Sequence, residues 1–332
     1  MATMRHFAQD VIRCDVCPDT EEKEPAEIVC RSCRKNLCQA CVAKHVLSSR
    51  KEHAVIQLSA IYRRPKILVA ASLVQTIPGG FKPLSRVVKS RDGYLWTSAE
   101  MNVIKKIDMN GVVVETHSTG SIHAPFDITL NNTGDLMFTV MAAKELNVIR
   151  DQRSVTLIKI SDGWTPRGLC STAKNEVLLS MFKTGNPDKV VRYSGSRVIQ
   201  EISFDSSGYF IFKDASYLCE NGNYDVCVSD VEARCVVVLK SSGIPRYKYS
   251  GRSQPSFEPG SLACDSLCHI LIADKVQNCV HIIDKDGQML SVIDRSLTTI
   301  HKPVRIWVDD EDILFVAERG SGNIKAVKYL DE

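Results

Sequence analysis

No apolar run in this chain approaches the roughly 18 residues that a membrane span needs. The longest, Ile67–Val74, has eight. The N-terminal stretch MATMRHFAQDVIR carries charges where an export signal has an apolar segment, so export is not expected. Neither sign of charge dominates: 42 basic and 39 acidic residues leave a net charge of +3. Charge alone therefore implies no nucleic-acid or membrane partner. There is no phosphate-cradling glycine loop, no dinucleotide fingerprint and no Ser-His-Asp set. What remains is the balance of a globular protein, 44% hydrophobic and 24% charged over 332 residues. That length suits one large domain, or a medium domain with a small module.

Cysteine is plentiful and unevenly placed. Six of the 13 fall between Cys14 and Cys41, and the other seven scatter from Cys170 to Cys279. An odd count without an export signal argues against a disulfide framework. The N-terminal six continue into two histidines as C-x2-C-x12-C-x2-C-x4-C-x2-C-x3-H-x7-H. Each C-x2-C turn can present two sulfurs to one ion, and zinc takes four tetrahedral N or S ligands. Eight ligands predict two closed, structural zinc sites with no open position for catalysis. The segment is short and polar, so metal binding must supply its folding energy, on the order of 10–16 kcal/mol per zinc. His6 lies outside the pattern and reads as a solvated terminal residue.

Six cysteines first and two histidines last is not the ligand order of a RING finger. The pattern resembles the B-box zinc finger of tripartite-motif (TRIM) proteins, over about residues 11–58, within a module placed at residues 9–58. In that family the ligands cross-brace. The resemblance implies that Cys14, Cys17, Cys38 and Cys41 hold one zinc. It implies that Cys30, Cys33, His45 and His53 hold the other. The seven-residue gap before His53 is longer than in many members, and no other ligand type lies in it.

Beyond a linker at residues 59–71 the chain changes character. Helical periodicity is confined to Ile56–Arg64, read as a short helix. A short apolar run closing on a small residue then recurs, at Thr97, Thr139, Ser180, Ser229, Ala273 and Ala317. The separations are 42, 41, 49, 44 and 44 residues. Fourteen residues before these anchors stand Pro83, Pro125, Pro166, Pro259 and Pro303, with Ala215 in the fourth unit. Proline suits a strand's first residue, where no ladder hydrogen bond is lost. Asn110-Gly111 and Asp286-Gly287 are hairpin-turn dipeptides. Four antiparallel strands per unit of about 44 residues, repeated six times, predict an all-β six-bladed propeller over residues 72–332. The last unit lacks an outermost strand, and residues 72–77 are expected to supply it, latching the ring.

No Trp-Asp dipeptide exists, and Gly79-Gly80 is the only glycine pair, which disfavours the WD40 and kelch types. The units are similar to NHL repeats, most clearly in FEPGSLACDSLCHILIADKVQNCVHIIDKDG. A B-box followed by an NHL-like, TolB-like propeller looks like the TRIM-NHL family. Two of that family's parts are not expected in this chain. Only 13 residues precede Cys14, too few for a RING, and about 24 lie between His53 and the first blade, too few for the coiled coil.

The function expected is therefore a zinc-binding, non-enzymatic adaptor in the cytoplasm, with nuclear residence left open. Its propeller would recognise a protein partner, and its B-box would dock or self-associate. The resemblance supports two alternatives: an RNA-binding propeller, or a component of an E3 ubiquitin-protein ligase whose RING lies on another chain or is truncated here. A calcium-dependent propeller hydrolase would need Asp127, Asp230, Asp274 and Glu318 to converge on the axis, and the last three belong to the repeat signature. Candidate partner contacts lie where innermost strands begin. Arg86 stands where the other units carry Ile128, Leu169, Leu218, Leu262 and Ile306, and Asp127, Tyr217 and Arg305 precede that position as rim residues. The seven scattered cysteines lie in or beside strand runs and read as small buried apolar residues.

Overall fold

The structure is a computed structural model that describes residues 28–30, 35–47, 55–57, 66–252 and 256–331. It divides into two compact units, residues 1–67 with 330–332, and residues 68–329. In the first, β1 (Ile28–Cys30) pairs antiparallel with β2 (Lys35–Leu37) and with β3 (Val55–Gln57). Helix α1 (Gln39–Leu47) follows β2. Ile28 and Leu37 are buried, with Val42 of α1 packed against them. The expected helix at Ile56–Arg64 does not begin there, because Ile56 and Gln57 are strand; residues 58–65 lie outside the described ones. The β-branched pair Val55-Ile56 satisfies its backbone groups on β1 instead.

The second unit is six four-stranded antiparallel sheets. Strand β4 (Ile67–Pro78) precedes them. Blade 1 is β5 (Arg86–Lys89), β6 (Leu95–Ser98), β7 (Val103–Ile107) and β8 (Val113–Ser118). Blade 2 is β9 (Asp127–Leu130), β10 (Leu136–Val140), β11 (Glu145–Arg150) and β12 (Arg153–Lys159). Blade 3 is β13 (Thr165–Ser171), β14 (Val177–Phe182), β15 (Lys189–Ser194) and β16 (Arg197–Ile202). Blade 4 is β17 (Ala215–Glu220), β18 (Val226–Asp230), β19 (Cys235–Leu239) and β20 (Pro245–Tyr249). Blade 5 is β21 (Pro259–Cys264), β22 (Ile270–Asp274), β23 (Cys279–Ile283) and β24 (Met289–Ile293), followed by the short helix α2 (Arg295–Thr298). Blade 6 is β25 (Pro303–Val308), β26 (Ile313–Glu318), β27 (Asn323–Leu330) and, outermost, β4. The innermost strands touch in turn, from β5 through β25 and back to β5, which closes the ring.

The recurring anchors all fall on the second strand of their blades, and the structure explains why so many carry a hydroxyl. Thr139 Oγ1 donates to the Arg167 carbonyl at 2.7 Å, joining blade 2 to blade 3. Ser180 Oγ donates to the Ser216 carbonyl and accepts from the Gly168 amide, both at 2.9 Å, joining blade 3 to blade 4. Ser229 Oγ donates to the Gly260 carbonyl, joining blade 4 to blade 5. At the next seam Ser261 of the inner strand takes over, accepting from the Ile306 amide at 3.2 Å. Each bridge satisfies a buried backbone group that the blade's own ladder leaves over. Gly168 is required at its site, since a Cβ there would lie 2.4 Å from the Ser216 carbonyl oxygen.

Ring closure follows the expected plan, with a longer latch. Strand β4 begins at Ile67, so part of the expected linker is already strand. Its side chains are mostly exposed, as suits an outer edge, but Ile77 is fully buried at the seam of blades 6 and 1. There it packs with Leu84, Val87, Ile107, Phe315 and Ile324.

Candidate functional site

Of the eight expected zinc ligands, Cys14, Cys17, Cys33 and His53 lie outside the described residues. Cys30 ends β1, and its Cα is paired with Val55, two residues beyond His53 in the chain. Cys38 is buried just ahead of α1, and the Cys41 amide donates to its carbonyl at 3.0 Å, the tight turn a C-x2-C clip needs. Cys41 and the buried His45 stand one helical turn apart on α1. The donor set, thiols and imidazole without carboxylate, fits zinc.

The four candidate partner contacts do converge, but as a plug. Arg305 Nη2 pairs with Asp127 Oδ1 at 2.9 Å, and both side chains are buried. Asp127 also accepts the Ile128 amide at 2.8 Å and the Leu169 amide at 3.0 Å. The pair thus reaches from blade 6 to blades 2 and 3. Burial pushes the Asp127 carboxyl above its ordinary value, and Arg305 opposes that shift. Arg86 Nε donates to the Phe126 carbonyl, its guanidinium lies over the Phe126 ring, and burial lowers its pKa. Phe126 in turn stacks on Tyr217, 5.8 Å between centroids, and Arg305 lies over the Tyr217 ring. Asp127 and Arg305 are thus not rim residues, and Arg86, a candidate partner contact, is half-buried. An arginine and a carboxylate that neutralise each other can cross a channel that neither could enter alone.

The open end lies at the other end of the innermost strands. A cavity of about 560 Å³ is bounded by Lys89 at the end of β5 and by the turns after β5, β9 and β25, which supply Arg91, Asn131 and Asp309. Arg305 and Trp307 line it, two residues apart on β25. Arg305 Nε and Nη1, Trp307 Nε1 and Ser171 Oγ are buried and have no partner among the protein's atoms. Lys89 is held by Asp309 at 2.6 Å. The cavity is lined by acidic as well as basic groups, Asp309, Asp310 and Glu311 beside Lys89 and Arg91, and by residues whose buried donors find no acceptor in the protein.

Residues 9–58 match the B-box zinc finger family model. The chain is therefore a B-box followed by a six-bladed propeller, a zinc-binding propeller protein whose architecture is consistent with the TRIM-NHL type. No curated protein matches the sequence. Solved propellers do resemble the structure. Virginiamycin B lyase from Staphylococcus aureus is 13% identical with a TM-score of 0.56, over 74% of this chain and 80% of the lyase. The calcium-binding protein regucalcin from Agrobacterium tumefaciens is 9% identical with a TM-score of 0.60, over 78% and 95%. The WD40 propeller domain of Doa1 is 13% identical with a TM-score of 0.56, over 79% and 98%. At these identities the likeness concerns the fold alone.

The carboxylates of the repeat signature do not gather on the axis. Asp230 accepts the Lys213 and Asp214 amides, Asp274 the Val276 and Gln277 amides, and Glu318 the His301 amide. Each ties a strand end to a loop. Among the described residues, the one group of three or more His, Cys, Asp or Glu with metal-binding proximity is Cys219, Cys227 and Cys264. Hydrogen bonding with Cys219 draws the Cys227 thiol below its ordinary range, and the same network pushes Cys219 and Cys264 up. Sequence spacing could not reveal this group or the cavity. Strand pairing and blade contact make them, and no C-x2-C or basic run marks them.

Proposed function

We propose that this B-box propeller protein is a non-enzymatic adaptor that recognises an acidic segment of a protein partner at the open end of its channel. The observation that carries the reading is the pair Arg305 and Trp307, whose three unpartnered N–H groups share one cavity. A partner carboxylate offered there would satisfy donors that otherwise remain desolvated. At the opening Lys89 pairs with Asp309 at 2.6 Å and Arg91 lies 3.6 Å from Asp310, so preference for a carboxylate rests on Arg305 and Trp307 rather than on a basic rim. Rigid blades beneath variable turns suit recognition by surface loops.

The B-box supplies docking or self-association. Cys14, Cys17, Cys38 and Cys41 hold one zinc, and Cys30, Cys33, His45 and His53 the other. The Cys30–Val55 register and the Cys38–Cys41 turn support that division. The propeller takes residues 72–332 and the strand that leads into them.

Labelled peptides ending in Asp or Glu, and neutral counterparts, test the reading by fluorescence anisotropy. Acidic peptides should bind, and Trp307→Phe should weaken them about tenfold, the worth of one hydrogen bond to a charged group. Equal binding of neutral peptides, or an unaffected Trp307→Phe, would remove the carboxylate pocket. Single-stranded RNA that competes for the same site would favour the RNA-binding alternative.

A further inference from the structure

Three cysteines from two blades meet at one point. Cys219 and Cys227 face each other across β17 and β18 as paired residues of blade 4. Cys264 ends β21 of blade 5 and faces back toward them, 3.1 Å from the Cys219 sulfur. All three sulfurs lie within 4.8 Å of one another. Metal–thiolate bonds of about 2.3 Å place the sulfurs of a trigonal site about 4 Å apart, inside that span. We propose that Cys219, Cys227 and Cys264 form a three-thiolate site for a soft monovalent metal ion of the Cu(I) class, clasped between blades 4 and 5.

The chemistry of the surroundings selects the ion. No imidazole or carboxylate belongs to the group. The carboxylates beside these cysteines in the chain are committed elsewhere: Glu220 to Arg192 at 2.8 Å, Asp225 to Arg246, and Asp265 to His269 at 2.7 Å. Cys170 packs against the same cluster, but its sulfur does not join the three that lie within 4.8 Å of one another, so zinc would lack a fourth ligand at that spacing, whereas an all-sulfur, low-coordinate set suits Cu(I). Much of the wall is apolar: Val236, Val238, Leu262, Ile270 and Ile272 pack around the thiols. Cys219 and Cys264 also line the channel cavity, which gives the ion a way in. The site opens on the same cavity as the carboxylate pocket proposed above, but its ligands are other residues, so Trp307→Phe should leave Cu(I) uptake intact.

The test uses the full, zinc-loaded chain under anaerobic conditions with a non-thiol reductant. Cu(I) is supplied from a bicinchoninate buffer, and released zinc is measured in parallel, so that copper entering the B-box is recognised. The expected result is one Cu(I) per chain without zinc release, with X-ray absorption reporting three sulfur neighbours. Cys227→Ala and Cys264→Ala should each weaken uptake at least 100-fold, while Cys235→Ala, outside the cluster, should leave it intact. Tryptophan fluorescence confirms that each variant is folded. On the unaltered chain, bound Cu(I) should also raise the propeller's unfolding midpoint. Uptake that always accompanies zinc release, uptake unaltered in both cluster variants, or a preference of these thiols for Zn(II) would each overturn the proposal.

Discussion

Ile77 tests whether the N-terminal strand truly closes the ring. Most of β4 is exposed, so its hold on β27 rests on backbone pairing, on one exposed hydrogen bond from Lys325 Nζ to Thr76 Oγ1 at 3.1 Å, and on this one fully buried side chain. Ile77→Ala removes three methyl(ene) groups' worth of packing from the cluster that joins Phe315 and Ile324 of blade 6 to Leu84, Val87 and Ile107 at blade 1. Truncating a buried isoleucine costs about 2–5 kcal/mol. For a propeller of this size that is a melting shift of roughly 4–20 °C. Val74→Ala on the same strand provides the control: Val74 is 59% exposed, and its loss should stay within about 0.5 kcal/mol. All three tryptophans, Trp96, Trp164 and Trp307, belong to the propeller, so intrinsic fluorescence in urea reports this unit alone. Equal effects of the two substitutions, or an unchanged melt after deletion of residues 66–78, would refute closure by this strand.

Ser180→Ala should cost about 2–4 kcal/mol by urea unfolding, since it strands the buried Gly168 amide and Ser216 carbonyl at once. Asp127→Ala should cost about 3–5 kcal/mol by the same measurement, because Arg305 is left buried without its counter-charge. Excess chelator should expose residues 1–60 to protease while the tryptophan signal stays constant, and metal analysis should return two zinc ions per chain; unchanged protease resistance would defeat the zinc reading. Burial holds the His281 imidazole down at about 4, beside Tyr249 at 2.8 Å and Asp274 at 3.8 Å. The unfolded chain therefore takes up a proton that the folded chain refuses, and stability falls as pH drops from about 6.5 toward 4, by about 3 kcal/mol. His281→Phe should flatten that fall in a pH series of urea midpoints.

Much of this architecture was legible because repetition amplifies weak local signals. One apolar run ending in Thr139 says little, but six in phase specify a blade, and the hydroxyl bridges give that phase a physical cause. The missing outer strand of the last unit pointed correctly to the segment before the first. The B-box was legible because its clip turns are local, as Cys38 and Cys41 illustrate. The channel was legible only in part. Phase located Arg86, Asp127, Tyr217 and Arg305 at strand starts, but not which end of the ring they would close. Arg305 read as a rim group because the sequence does not carry the salt bridge that lets it be buried. The Cys219, Cys227 and Cys264 cluster left no sequence signature, since blade-to-blade contact determines it. At Ile56, apolar periodicity suggested helix where pairing with β1 prevailed.

The pairing of β4 with β27 also has a kinetic consequence. Residues 67–78 leave the ribosome long before residues 323–330. At about 5–20 residues per second the wait is roughly 10–50 s. Throughout translation the nascent polypeptide exposes an unmated β-edge rich in Ile, Leu and Val. When several chains are made on one message, a neighbour's terminal strand can capture it first, producing intertwined dimers by strand exchange. Synthesis rate and crowding of polysomes should therefore govern the yield of correctly closed monomer as strongly as the stability of the finished ring.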